Sequence, residues 1–209
     1  MENMDWQGVA TLITAIGTII ALFLNFRQHT YNKEKEYELK KREERDSAKR
    51  NEERKEIKRA SQTIYRELNR VFHNTGALRA YIVQPHPLDK SKYISVQYEV
   101  LGEGMTSIVE RVHRLPIGSV GAFVAELSSR DYVMWTTQSD VKDGRARAMM
   151  HEFGADKMAA MRMMQNDVWL GNLVLDFDLH HPMDAVYLKS KMGEATNAIK
   201  YVLPEIEED

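Results

Sequence analysis

The chain has 209 residues, with 29 Lys and Arg side chains against 31 Asp and Glu, so its net charge is −2. This balance gives no electrostatic reason to expect binding to nucleic acid. The sequence contains no cysteine, which excludes disulfides, thiolate metal sites and a cysteine nucleophile. The hydrophobic fraction of 43% is ordinary, but the apolar residues are unevenly distributed and divide the chain into segments.

The first apolar segment has the length of a membrane span. Residues 8–24 carry no charge, and with their neighbours they form a stretch over 6–26 that reaches roughly 30 Å at ~1.5 Å per residue. A buried soluble helix rarely stays apolar on every face for this long. The leader, residues 1–5, is acidic rather than basic, which argues against a cleaved signal peptide. The sequence therefore predicts an uncleaved single-pass transmembrane helix over 6–26.

The charges beside this helix predict its orientation. No Lys or Arg precedes it, whereas Arg27, Lys33, Lys35, Lys40 and Lys41 follow it. The positive-inside rule then places the N-terminus outside and the C-terminal domain in the cytoplasm.

Small residues near one face of the same helix allow close approach between helices, and they are Ala10, Thr14, Gly17 and Ala21. They favour a homo-oligomer associated within the membrane. The alternative is that Gly, Ala and Thr are common in any membrane helix.

A charged segment follows, and we predict a helical stalk over residues 27–72. Its first part, 27–59, contains no Pro or Gly and has acid-before-base pairs such as Glu36–Lys40. Apolar residues are too few there for a strong coiled-coil seam. Disorder remains the alternative for this part. From Ile57 to Val71 the apolar residues recur at helical spacing, so this end should dimerise or pack on the next domain.

Residues 73–203 are predicted to form an α+β domain, followed by an acidic tail over 204–209. Periodicity predicts strands over 78–84, 92–100, 132–137, 157–165 and 168–177, and helices over 105–113, 119–128, 145–153 and 183–202. Asn166-Asp167 is predicted to be a hairpin turn. The second strand should place Ile94, Val96, Tyr98 and Val100 on one face. The element order indicates a mostly antiparallel sheet flanked by helices.

The order of several short motifs resembles a known family. They are Tyr98-Glu99-Val100, Gly104, Ser107-Ile108, Leu115-Pro116, Gly154, and Leu170-Gly171-Asn172-Leu173. In spacing they are similar to GAF/PAS-type domains, in particular the membrane-anchored versions of bacteria and their phages, over residues 57–200. The resemblance implies a GAF/PAS-like fold, a sensory role and a bacterial inner membrane. One departure is Gln84-Pro85-His86-Pro87, which replaces the His-Asn-Gly of many relatives.

The layout of one membrane helix, a helical segment and a soluble domain is also similar to that of T-even phage holins. The soluble domain of those holins is periplasmic, where it receives an antiholin signal. The charge distribution of this chain predicts the opposite side of the membrane.

No motif predicts an enzyme. A Walker loop, G-x-S-x-G, H-E-x-x-H and a paired-carboxylate signature are all missing from the sequence. We expect no catalytic residue and no cofactor. Asp176, Asp178 and His180 alternate beside Pro182, but a polar strand end explains them better than a metal site does. We therefore predict no metal.

If the domain is GAF-like, its ligand pocket should lie between the sheet and the helices over it. We predict that the lining includes Tyr81, Tyr98, Ile108, Phe123, Trp135 and Met161. An ordinary filled core would use the same residue types, so both interpretations stay open.

The leading hypothesis is a membrane-anchored regulatory protein whose soluble domain senses a small ligand or a protein partner and couples it to membrane-helix association. The second is a phage holin whose membrane helices oligomerise and permeabilise the inner membrane, timed by the soluble domain. A structural tether that holds a partner above the membrane is the third.

Overall fold

The computed structural model describes residues 6–86, 89 and 91–203, without the side chains of residues 6–26 and of some residues between 29 and 38. The chain divides into two compact units, residues 1–55 and 56–209. Helix α1 runs from Trp6 to Thr75 and contributes to both units. The predicted stalk is therefore helical, and the side chains of residues 39–55 are all exposed.

The predicted membrane span lies outside the side chains that the structure describes. This applies to residues 6–26 and to the small residues predicted for association, Ala10, Thr14, Gly17 and Ala21. Within the described part of the chain, no helix combines the length and the apolar composition needed to cross a bilayer.

The second unit is built on a six-stranded sheet in which every neighbouring pair is antiparallel. Its strands are β1 Arg79–Pro85, β2 Tyr93–Leu101, β3 Leu115–Pro116, β4 Tyr132–Trp135, β5 Lys157–Gln165 and β6 Val168–Phe177, in the order β3-β2-β1-β6-β5-β4. Its further helices are α2 Gly121–Ser129, α3 Gly144–Glu152 and α4 Ala185–Ile199. The predicted α+β class with an antiparallel sheet is confirmed.

The turn between β5 and β6 follows the sequence prediction. Asn166 and Asp167 have φ angles of 49° and 62°. Two successive left-handed residues are what a type I′ hairpin turn requires, and Asn and Asp tolerate that region better than most residues. The turn thus fixes the pairing of β5 with β6.

The predicted helix over 105–113 is wrong. Residues 105–108 have no regular structure, and turns follow them up to Arg114. The amide of Ile108 donates to the carboxylate of Glu99 at 3.1 Å, and the carbonyl of Val112 accepts from the amide of Val96 at 3.2 Å. One i to i+4 hydrogen bond, from the amide of Val112 to the carbonyl of Ile108 at 2.9 Å, makes a single turn, but the contacts to β2 keep the segment from continuing as a helix.

The prediction that one face of β2 carries Ile94, Val96, Tyr98 and Val100 is also wrong. The pairing with β1 shifts between two residues, so that Ile82 lies opposite Tyr98 while Val83 lies opposite Val96. The extra residue is the exposed Gln97, which makes a β-bulge. Because side chains alternate along a strand, one additional residue sends the two halves of β2 to opposite faces.

Each face of the sheet has its own apolar core. The end of α1 and helix α4 cover one face with residues such as Ile64, Leu68 and Leu188, and Tyr98 packs there. Helices α2 and α3 and the 102–114 segment cover the other face, with residues such as Val124, Met150 and Ile108. The second face holds the candidate site.

Candidate functional site

A cavity of about 50 Å³ lies between the sheet and the cover formed by α2, α3 and the 102–114 segment. At ~10–15 Å³ for each water-sized group, it has room for roughly three to five such groups. Most of its wall is apolar, and the lining includes Val83, Ile94, Val96, Ile108, Phe123 and Met150. An apolar wall with few polar groups is the usual composition of a small-molecule site.

The polar part of the wall comes from Tyr81 and Asp176. The Tyr81 hydroxyl donates to Oδ1 of Asp176 at 3.2 Å, and the sulfur of Met158 lies 3.7 Å from the same hydroxyl. Both residues are buried, Asp176 with 2% of its surface exposed. Strand alternation explains their position, because Tyr81 on β1 lies opposite Val174, two residues before Asp176 on β6.

Behind this end of the cavity lies Arg79, which is fully buried. Its Nη1 donates to Oδ2 of Asp176 at 2.8 Å, and its Nη2 donates to the carbonyls of Thr106 and Phe153 at 3.0 and 3.2 Å. Its Nε lies 3.2 Å from Oε1 of Glu99, as an ion pair without the alignment of a hydrogen bond. The guanidinium therefore ties three strands, the 102–114 segment and the end of α3 together.

Glu99 is the second carboxylate in contact with Arg79. Its side chain is 4% exposed. It accepts hydrogen bonds from the hydroxyl of Ser107 at 2.6 Å and from the amide of Ile108. These contacts hold the loop that covers the cavity, so Glu99 acts as a positioning residue for Ile108 in the lining.

Burial changes the proton affinity of the two polar groups in the cavity wall. Removal from water raises the pKa of Asp176 to about 6, although Arg79 and Tyr81 act in the opposite direction. Burial also raises the pKa of Tyr81 well above its usual value, and the negative charge of Asp176 adds to this effect. At neutral pH the cavity wall thus presents a neutral phenol beside an aspartate that is mostly ionised.

Solved structures identify the fold. The chain is similar to a cyanobacteriochrome receptor PixJ, with 11% identity, a TM-score of 0.57, and coverage of 73% of this chain and 99% of that one. A PixJ GAF domain from Thermosynechococcus elongatus, in its blue-light absorbing form, has 10% identity, a TM-score of 0.56, and coverage of 70% and 88%. A GAF domain/HD domain protein from Geobacter sulfurreducens has 11% identity, a TM-score of 0.53, and coverage of 70% of this chain and 95% of that one.

The domain has the GAF fold. At these identities the likeness establishes the fold and leaves the ligand open. Neither a protein-family model nor a curated protein matches this sequence.

Of the residues predicted to line the pocket of this GAF-fold domain, Tyr81, Ile108 and Phe123 contact the cavity. Trp135 lies in the same core and its ring is 5.5 Å from that of Phe123, but it stands behind the lining. The structure therefore brings four of the six predicted side chains to one face of the sheet.

The placement of Tyr98 and Met161 in the lining is corrected. Both belong to the core under α1 and α4, on the opposite face of the sheet. The bulge at Gln97 turns Tyr98 away from the cavity. The even-numbered β5 residues Met158 and Ala160 face the cavity side of the sheet. Met161 is at an odd-numbered position, so its side chain faces the other side.

The sequence pattern predicts Tyr81 in the site but misses its charged groups, Arg79, Glu99 and Asp176. Arg79 and Asp176 are 97 residues apart in the chain, and no local spacing indicates that they pair. The sequence pattern groups Asp176 with Asp178 and His180, but those three side chains do not converge. Asp178 caps the amides of the following turn, and His180 is exposed. A charged residue within an apolar strand, such as Asp176 in β6, is the signal that could have indicated a buried partner.

Proposed function

We propose that this chain is a regulatory protein whose GAF domain senses a small ligand in the cavity beside Asp176. The observation that supports it is the combination of an apolar wall with two buried polar side chains, Tyr81 and Asp176, at one end. A ligand with an apolar body would fill the wall, and its polar group would reach the aspartate. The cavity is small, so larger ligands require movement of the 102–114 segment, which has no regular structure over residues 105–108.

Filling the cavity should abolish ligand binding. Ala155 is buried in the lining, so Ala155→Leu places a larger side chain in the available volume. The matched control is Ala122→Leu, because Ala122 is exposed on α2. The full chain, purified in detergent, is heated with isobutylamine, isobutanol or isobutyrate. We expect at least one probe to raise the melting temperature of the native protein and of Ala122→Leu but not of Ala155→Leu. Equal shifts in all three proteins would contradict the proposal.

We further propose that residues 6–26 anchor the protein in the bacterial inner membrane and that ligand binding changes the association of these helices. The uncharged stretch over 8–24 and the Lys and Arg residues after it support this proposal. The small residues Ala10, Thr14, Gly17 and Ala21 supply a face on which helices of a homo-oligomer can approach closely.

Topology fusions test the anchor. An alkaline phosphatase that is active only in the periplasm and a protein that fluoresces only in the cytoplasm are fused in parallel after Asp209. We expect fluorescence without phosphatase activity. Phosphatase activity without fluorescence would contradict the cytoplasmic orientation and favour the holin hypothesis. Recovery of both fusion proteins in the soluble fraction would contradict the proposal that residues 6–26 anchor the protein in the membrane.

A further inference from the structure

We infer that the cavity is selective for a small amine, whose apolar body would fill the wall and whose ammonium group would bind Asp176. This inference rests on the proposed ligand-binding function and assigns the chemical class of the ligand. It depends on the charge balance and on the remaining hydrogen-bonding capacity of the buried cluster at the polar end of the cavity.

The buried cluster has one negative charge more than positive charges. Its charged members are the guanidinium of Arg79 and the carboxylates of Asp176 and Glu99, all at least nine-tenths buried. With both carboxylates ionised, one negative charge remains uncompensated. An uncompensated buried charge is costly, and a proton or a ligand cation can neutralise it.

Asp176 is the member of the cluster that a ligand can reach. It forms part of the cavity wall, whereas Glu99 and Arg79 lie behind that wall. Each oxygen of Asp176 accepts one hydrogen bond in the cluster, Oδ1 from Tyr81 and Oδ2 from Arg79. A carboxylate oxygen has two lone pairs, so both oxygens retain capacity for a further donor. An ammonium group supplies up to three donors and the missing positive charge.

The same geometry disfavours the other probe classes. A ligand carboxylate would lie against Asp176, and the guanidinium of Arg79 is already engaged by two carboxylates and by the carbonyls of Thr106 and Phe153. An alcohol can donate one hydrogen bond but leaves the excess charge in place. The expected order of affinity is therefore amine, then alcohol, then acid.

Proton competition follows from this arrangement. The titratable groups that face Asp176 are Arg79 and Tyr81 from β1 and Glu99 from β2, while α3 and the 102–114 segment present carbonyl groups. With a pKa of about 6, Asp176 is about one-tenth ionised at pH 5 and almost fully ionised at pH 7.5. Aliphatic amines stay protonated over this range, so amine affinity should rise about tenfold between the two pH values.

Titration calorimetry of the full chain in detergent with isobutylamine, isobutanol and isobutyrate tests the inference. We expect the amine to bind at least about tenfold more tightly than the alcohol at pH 7.5, and Asp176→Asn to remove that preference. The control Asp167→Asn makes the same chemical change in the hairpin turn and should preserve it. The pH dependence of amine binding is measured on the native chain. It therefore tests the inference even if the Asp176→Asn variant misfolds.

Each outcome decides the inference. Tighter amine binding that rises with pH supports it. Equal binding of amine and alcohol, or tighter binding of the acid, overturns the charge selectivity while the proposed ligand-binding function stands. If no probe binds at either pH, both the selectivity and the proposed function of this cavity fail.

Discussion

The guanidinium of Arg79 lies 2.8 Å from the carboxylate of Asp176, on neighbouring strands β1 and β6, and neither side chain is appreciably exposed. This pair connects the polar end of the cavity to the loop that covers it, since the same guanidinium donates to the carbonyl of Thr106. Any change of charge at Asp176 therefore acts directly on a group that holds the 102–114 segment in place. The predictions below test this arrangement and the fold that produces it.

Replacing Arg79 with methionine should be strongly destabilising. It leaves Asp176 and Glu99 buried without a cation, and loss of one partner of a buried ion pair costs about 3–5 kcal/mol. Urea denaturation at pH 7 measures the change in the free energy of unfolding. Arg111→Met is the matched control, because the Arg111–Glu152 pair is about half exposed and is worth at most about 1 kcal/mol. Equal losses in both variants would contradict a buried-charge role for Arg79.

Asp176 should make the protein less stable as the pH rises from about 4 to about 7. Its folded pKa of about 6 lies above the unfolded value of about 3.9. The folded state therefore binds the proton on Asp176 more tightly than the unfolded state does. The stabilisation that results is fully present below pH 4 and is lost as the pH rises through 6. The difference between the folded and unfolded pKa corresponds to a decrease of roughly 3 kcal/mol in the free energy of unfolding across this pH range.

Urea denaturation at several pH values measures this dependence. Asp176→Asn, which cannot titrate, should flatten the curve in that pH range. A native protein whose Asp176-dependent stability increases with pH would show that the pKa is lowered by Arg79 instead of raised by burial.

Deleting Gln97 should leave β2 intact. Gln97 is the extra residue between Val96, which faces the cavity side, and Tyr98, which faces the core under α1. Without Gln97, Val96 and Tyr98 become successive residues opposite Val83 and Ile82, so ordinary alternation keeps them on opposite faces. Thermal unfolding of the deletion is compared with that of Gln97→Ala, which keeps the residue count, and we expect similar melting temperatures. A clear loss of stability in the deletion alone would mean that the bulge itself is needed for the register of β2.

Gly171 should not tolerate a side chain. Its φ angle is +138°, and a Cβ there would lie 2.3 Å from the carbonyl oxygen of Val83. The backbone conformation alone costs about 1–3 kcal/mol for other residues, and the contact adds to it. Gly171→Ala should therefore lower the melting temperature clearly. Gly118→Ala is the control, since a Cβ there meets nothing within 4 Å; if both variants melt alike, β6 and β1 are not packed as closely as described.

The elements of the domain could be predicted wherever local periodicity decides them. Strands β5 and β6 and their Asn166-Asp167 turn agree with the sequence prediction because alternation and turn chemistry are local properties. The bulge at Gln97 could not be predicted, since it depends on pairing with β1. The apolar residues Ile108 and Val112 have helical spacing, but their segment binds to β2 and remains irregular.

The candidate site was predictable only in part. Alternation on β1 places Tyr81 in the cavity wall, and helical spacing on α2 places Phe123 there. Ile108 also lines the cavity, although the helix predicted for its segment is wrong. The buried cluster was not predictable, because Arg79 and Asp176 meet only when β1 pairs with β6. Charged side chains are usually expected on the surface, so the sequence alone favours the wrong environment for both.

The most direct test of the central claim, that this cavity binds a small molecule, is methyl NMR of the full chain in detergent with 13C-labelled methionine. Met149, Met150 and Met158 line the cavity, whereas Met161, Met163 and Met192 lie in the core on the opposite face. Adding isobutylamine, isobutanol or isobutyrate should shift the first three methyl resonances and leave the other three nearly unchanged. Shifts confined to the second group, or no shift with any of the three probes, would contradict the account.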